Sequence, residues 1–275
     1  MNSKKIEILG GGESGVGTAI LAKQKGYEVL VSDFGKIKET YKNVLTDFDI
    51  VWEEGGHSEA KIVTASVVMK SPGIPDTAPI VKVLLEKGVP VISEIEFAAQ
   101  YTEATLVGIT GSNGKTTTTM LTGHVLKEGE ENVGVAGNIG DSFAKMVALQ
   151  SIDTYVLEIS SFQLDGIVDF APHIAVLTNI TPDHLDRYEY EFDNYIASKF
   201  RIAMNQTAED YLIYDADDPV ITGWLQKHPV KSKLLPFSLE EKVKNGAYIE
   251  DNKICLLYTS PSPRDQRGSR MPSSA

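Results

Sequence analysis

TLVGITGSNGKTTTT, residues 105–119, is the stretch on which the reading of this chain turns. Leu106 to Ile109 is an apolar run that predicts a buried strand. It ends in a glycine turn, Gly111-Ser112-Asn113-Gly114, followed by Lys115, Thr116, Thr117 and a segment able to form a helix. Strand, glycine loop, Lys-Thr and helix is the order in which a chain holds a polyphosphate. The glycines let backbone N–H groups point inward, and the helix N-terminus adds partial positive charge. The lysine then reaches the terminal phosphates and the threonine hydroxyl can bind Mg²⁺. The strict motif places Gly six residues before the lysine, where this chain has Ile109, so the match is to the shortened form GxxGK[ST]. An ordinary glycine-rich turn would explain the glycines but gives no structural reason for Lys-Thr directly after them.

Downstream of the loop, strand-like runs alternate with helical ones. NVGVAG (132–137), TYVLEIS (154–160), IAVLTN (174–179) and YLIYD (211–215) read as strands, and residues 192–206 as a helix. This alternation predicts a doubly wound, mostly parallel sheet with ligands at the carboxyl ends of its strands. Lys115, Asn138, Glu158, His184 and Asp186 all follow predicted strand ends and are expected along one sheet edge. Glu158 closes an apolar strand, where a carboxylate can hold Mg²⁺; a strand-end acid facing water is the alternative. Asn138 lies in a glycine turn, where it either orients a ligand or serves the turn. His184 sits in a loop between acids, and spacing alone does not separate a ligand from a surface histidine. Lys199, on a helix, reads by default as a solvated lysine.

Upstream, residues 1–93 form a second pattern. KIEILG (5–10) reads as a strand, and Gly10-x-Gly12-x-x-Gly15 leads into a helical run from Val16 to Lys25. EVLVSD (28–33) is a second strand ending in Asp33. This is a Rossmann-like βαβ opening in which the glycines hold a nucleotide phosphate and Asp33 meets a ribose or base. VVMKSPGIP (67–75) is a strand entering a Pro-Gly turn, 79–88 a helix, and VPVIS (89–93) a further strand. The helix-like EIEFAAQY (94–101) leads into the phosphate-loop strand.

The whole chain sets bounds. Its 275 residues suit about two domains, and its 42% hydrophobic content suffices for a packed core. A formal net charge of −12 argues against general affinity for nucleic acid or an anionic membrane. Cys255 is the only cysteine, so no internal disulfide or zinc cluster is expected, which fits a cytoplasmic protein. No run approaches a membrane span or a signal-peptide core.

TGSNGKTTT (110–118), GNIG (137–140), EISSFQL (158–164), NITPDHLDRY (179–188) and YIASKFRI (195–202) together resemble the Mur ligase family. SSFQL and SPGI (71–74) resemble its D-glutamate-adding branch. The resemblance implies an ATP-dependent amide ligase of peptidoglycan synthesis. Its substrates would be UDP-N-acetylmuramoyl-L-alanine and D-glutamate, joined through an acyl phosphate, and the protein would be a monomer. It further implies that residues 111–117 hold ATP. Thr116 and Glu158 would hold one Mg²⁺, and His184 with a carbamylated Lys199 a second. Asn138, Gln163 and His184 would face the substrate. Ser14, Gly15, Val16, Asp33, Ser71 and Gly73 would hold its UDP end.

Residues 1–93 are thus expected as a UDP-substrate domain and 94–256 as an incomplete ATP-binding domain. Residues 257–275, with three prolines and five serines, are expected as a disordered or foreign tail. The family's third domain has no counterpart in the chain, so a fragment without turnover is expected. Three competing readings stand beside this one. A NAD-dependent dehydrogenase would explain residues 5–33 but leave the phosphate loop, Glu158 and His184 without purpose. A folylpolyglutamate-type ligase shares the loop but not SSFQL or SPGI. A non-catalytic nucleotide-binding fragment is the third.

Overall fold

The computed structural model describes residues 4–257 of the chain. Two sheets divide it. The first contains β1 (Lys5–Leu9), β2 (Glu28–Asp33), β3 (Val51–Glu54), β4 (Val67–Lys70) and β5 (Val91–Ile92) in the order β3-β2-β1-β4-β5, all parallel. Helices α1 (Glu13–Gln24), α2 (Glu39–Asp47), α3 (Glu59–Ile62) and α4 (Pro79–Glu86) connect these strands. Helix α5 (Glu94–Ala99) leads to the second sheet.

That sheet contains β6 (Thr105–Thr110), β7 (Val133–Gly137), β8 (Thr154–Glu158), β9 (Ile174–Leu177), β10 (Tyr211–Asp215), β11 (Lys233–Ser238), β12 (Gly246–Glu250) and β13 (Lys253–Leu257). Their order is β13-β12-β11-β10-β9-β6-β8-β7, parallel except for the β12–β13 pair. Between them run α6 (Lys115–Glu128), α7 (Phe143–Leu149), α8 (Ser161–Leu164), α9 (Phe192–Phe200) and α10 (Pro219–Lys227).

The strands bury both faces, as parallel strands do. Val107, Ile109 and Val156 turn to one side with Leu126 of α6. Tyr155, Leu157, Ala175 and Leu177 turn to the other. There they join a cluster that continues through Phe143 of α7 and Phe97 of α5 to Ile20 of α1, then to Ile6 and Val31 of the first sheet. One core therefore runs through both sheets.

Several sequence expectations are corrected. Helix α1 starts at Glu13, not Val16, so Gly15 lies inside it. A Cβ on Gly15 would come 1.9 Å from the Gly10 carbonyl oxygen, so the third glycine serves helix–strand packing, not the turn. Helix α4 stops at Glu86 instead of residue 88, because Gly88 takes φ +69° just beyond the C-cap. The helix expected over 192–206 is α-helical only to Phe200 and tightens to 3₁₀ over Arg201–Ala203. The pattern leaves 34–66 unassigned, yet α2, β3 and α3 lie there; VWEE of β3 is short and half charged, which hides the strand.

GAYIEDNKI (246–254) contains β12 and enters β13, the two arms of a hairpin. Asp251 and Asn252, each with positive φ, form the tight turn between β12 and β13. The tail expected to be disordered or foreign lies, beyond Leu257, outside the described residues. Among the described residues no helix is long and apolar enough to cross a membrane.

Candidate functional site

Strand order brings the site together. Strand β6 lies between β8 and β9, so the chain departs to both sides of it, and such a switch point opens a crevice at the carboxyl ends. The register sets Glu158, last residue of β8, between Ile109 of β6 and Gly137 of β7. Its carboxylate therefore stands between the loop after β6 and the loop after β7.

The loop after β6 takes the shape its glycines permit. Gly111 (φ +149°) lets the chain pass Thr178, where a Cβ would come 2.0 Å from the hydroxyl oxygen. Gly114 (φ +79°) is the N-cap of α6, and no side chain caps the helix. The N–H groups of the first turn of α6, which no helix satisfies internally, thus face the loop. The segment after β9 braces it. Asn113 N donates to Asn179 Oδ1 at 2.9 Å, Thr178 Oγ1 donates to the Asn113 carbonyl at 2.8 Å, and Ser112 Oγ donates to the Thr181 carbonyl at 2.8 Å. Lys115 Nζ lies over the loop, 2.9 Å from the carbonyls of both Gly111 and Ser112.

Glu158 is 2% exposed. Thr116 Oγ1 donates to its Oε2 at 2.7 Å and Asn138 Nδ2 to its Oε1 at 2.9 Å. Asn138 N also donates to the Glu158 carbonyl at 2.8 Å. A carboxylate this buried with only neutral donors keeps a large unmet attraction for a cation. The hydroxyl and carboxylate oxygens of Thr116 and Glu158 are hard donors of the kind Mg²⁺ takes. Among the described residues no three His, Cys, Asp or Glu side chains converge as a metal cage, so a hard cation here would be completed by water and phosphate oxygens. The donor set fits that ion.

Lys199 is also 2% exposed, on α9, with Nζ 4.8 Å from the ring centre of Tyr195. Burial, reinforced by the nearby charge of Lys115, lowers its pKa to about 7 against the opposing pull of Asp183 and Asp165. A lysine that loses its proton near neutrality can add CO₂ as a carbamate. His184 takes a left-handed backbone (φ +49°) with its side chain 57% exposed. Its Nε2 is 3.5 Å from Asp183, and its ring packs against Phe162 at 5.2 Å. Asp186 lies in a 3₁₀ turn beside it. Gln163 is buried, its Oε1 accepting from Ser160 N and Oγ in a capping box that starts α8.

In the first sheet Asp33 closes the glycine turn: Oδ2 accepts from Gly11 N and Oδ1 from Gly35 N, both at 2.7 Å. Ser14 opens α1, while Gly15 and Val16 are buried in it. Gly73 has open space around it, and the Ser71 hydroxyl is buried without a partner beside Gly10. Sequence reasoning passed over Tyr195, whose hydroxyl meets Ser112 Oγ at 3.1 Å and so ties α9 to the phosphate loop. Its spacing of four from Lys199 was the available signal. It also passed over Asp165, which accepts from Ser198 Oγ at 2.6 Å and Tyr188 Oη at 2.8 Å and carries no motif.

Fold and loop together define the class: an α/β phosphate-loop protein with a dinucleotide-type α/β unit ahead of it. Residues 109–259 match the Mur ligase middle domain and residues 5–79 the MurD N-terminal domain. The chain is 66% identical over 257 residues to the UDP-N-acetylmuramoylalanine--D-glutamate ligase of Christiangramia forsetii, covering 94% of this chain and 58% of that protein. It is 53% identical to the ligase of the same name from Bacteroides fragilis, covering 92% and 57%. Among solved structures it shares the fold of UDP-N-acetylmuramate:L-alanyl-gamma-D-glutamyl-meso-diaminopimelate ligase from Neisseria meningitides. That match has a TM-score of 0.62 at 21% identity and covers 92% of this chain and 86% of the other. The chain belongs to the Mur ligase family. It spans somewhat over half the length of these two curated relatives.

Proposed function

We propose that the protein of which this chain is part is an ATP-dependent ligase that adds D-glutamate to UDP-N-acetylmuramoyl-L-alanine in the cytoplasm. The names of the similar proteins support the substrates, and the sharing of Glu158 by Thr116 and Asn138 carries the reading for this chain. That contact ties a phosphate loop, a buried carboxylate and a substrate-side loop into one site. In this reading residues 1–93 hold the UDP end, through Ser14–Val16, Asp33, Ser71 and Gly73, and residues 94–256 hold ATP.

The reaction class is carboxyl activation followed by amide formation. The substrate carboxylate takes the γ-phosphoryl group as an acyl phosphate, and the amine displaces phosphate. No enzyme nucleophile is needed, so catalysis lies in placement and charge. The N–H groups at the start of α6 and Lys115 Nζ hold the phosphates. Thr116 and Glu158 would hold one Mg²⁺, and His184 with carbamylated Lys199 a second; the ions supply charge neutralisation on the transferring group. Asn138 orients Glu158 and, with Gln163 and His184, meets the substrate side.

Calorimetric titration of the chain with Mg-ATP and with UDP-N-acetylmuramoyl-L-alanine tests this. Both should bind, and Asn138→Ala should weaken Mg-ATP binding by roughly tenfold by releasing Glu158. A folded chain that ignores Mg-ATP would overturn the proposal.

A further inference from the structure

Ser32, in β2, is fully buried and pairs laterally with Glu53 of β3. Glu53 accepts from Ser58 N at 2.7 Å, Ser58 Oγ at 2.6 Å and Ser32 Oγ at 2.8 Å. Partial burial pushes the Glu53 carboxyl upward, but these hydrogen bonds outweigh it and hold its pKa below the ordinary value. Glu53 is therefore an ionised, acceptor-only group. Ser32 has a single proton, and it goes to Glu53.

The other neighbour of Ser32 Oγ is Nδ1 of His57, at 2.7 Å. With its proton spent on Glu53, Ser32 can only accept, so His57 must donate from Nδ1. Burial lowers the His57 pKa, against the charges of Glu53 and Asp33, and keeps the ring neutral near neutral pH. A neutral imidazole protonated at Nδ1 leaves Nε2 as a bare acceptor.

That ring lines a cavity of about 520 Å³ together with Phe34, Gly73, Ile74, Pro79 and Val83. Phe34 is 78% exposed, and its ring centre lies 5.9 Å from that of His57. An apolar hollow with an aromatic flank and one imidazole acceptor suits a flat heterocycle that presents a ring N–H. The cavity begins at Gly73, which the proposed function assigns to the UDP end.

We propose that His57, locked by Ser32 as the Nδ1–H tautomer, determines base specificity by accepting a ring N–H of uracil at Nε2. The inference rests on the reading of the first unit as a uridine nucleotide site. Uracil carries a proton on the ring nitrogen between its carbonyls. Cytosine has a lone pair there, so two acceptors would face each other. A site built around one hydrogen bond rejects the analogue lacking it, because a buried polar group is then left unpaired. The charged groups around the imidazole are Glu53 and Asp33, with Glu59 lining the cavity and Lys61 acting on Glu53. Protonation of His57 turns Nε2 into a donor, which works against the preference.

The test is calorimetric titration of the chain with UDP and with CDP at about pH 8 and about pH 5.5, on either side of the ordinary histidine pKa. UDP should bind roughly tenfold more tightly than CDP at the higher pH, and the ratio should shrink at the lower. His57→Phe should bind both alike at either pH. Ser32→Ala, which keeps the imidazole but frees its tautomer, should lose part of the preference. Equal affinities in the unmodified chain, or a preference that survives both substitutions, would overturn the inference and leave the nucleotide site standing. A chain that binds Mg-ATP but neither UDP nor CDP would overturn the uridine reading itself.

Discussion

Lys199 has lost its water to α9 and its surroundings, and Lys115 adds a like charge nearby. Its folded pKa, about 7, lies below the 10.5 of a free lysine, so between those values the unfolded chain binds more protons. Stability should therefore rise with pH across that window, because folding releases a proton that the unfolded chain holds, and that release costs less as the pH approaches 10.5. Lys199→Met keeps the length without the charge. At pH 7 it should be more stable on the order of 4 kcal/mol, since the lysine pKa is lowered by about three and a half units and each unit is worth about 1.4 kcal/mol. The gain should vanish toward about pH 10. Denaturant unfolding of both proteins against pH checks this, and a pH-independent difference between them would contradict it. In bicarbonate, a ¹³C-labelled carbamate resonance should appear in the unmodified chain and be absent from Lys199→Met.

Elements show where sequence sufficed and where it did not. The shape of the loop after β6 was legible because its glycines have a local cause: Gly111 and Gly114 supply the backbone angles of the turn. Glu158 was legible from its place at the end of an apolar strand. His57, Ser32 and Glu53 were not, since their chemistry exists only once β2 and β3 pair. Gly17 was equally silent. It lies in the middle of α1, where alanine would be favoured by about 1 kcal/mol on helix propensity. Yet a Cβ there would come 1.8 Å from Ser142 Oγ at the start of α7. Overpacking of about 1–3 kcal/mol should win, so Gly17→Ala should lower the melting temperature. Asp218 caps α10 with one carboxylate oxygen and accepts from Ile180 N with the other. Asp218→Ala should cost about 1–2 kcal/mol and loosen the segment that braces the phosphate loop, measurable as faster amide exchange at Ile180.

At the scale of the whole molecule, β13 is the edge strand of the larger sheet among the described residues, with Ile254 75% exposed. Unpaired strand edges with apolar side chains invite association. Ile254→Lys should reduce self-association on raising the protein concentration, without moving the melting temperature by more than a degree or two, about what a surface change of a few tenths of a kcal/mol produces. Light scattering and calorimetry read the two effects separately.

The two sheets are easy to draw as separate bodies, yet the join between them is not a hinge in the energetic sense. Glu96 of α5 accepts backbone N–H groups from Val168, Asp169 and Phe170, and the core passes unbroken from Ile6 to Leu177. Heating should therefore produce one calorimetric transition in place of two, with equal van't Hoff and calorimetric enthalpies. For anyone wishing to isolate the first sheet alone, the lesson is practical. A cut at residue 93 would bare the α1 surface that α7 covers, and the half so obtained would be sticky where it had been dry.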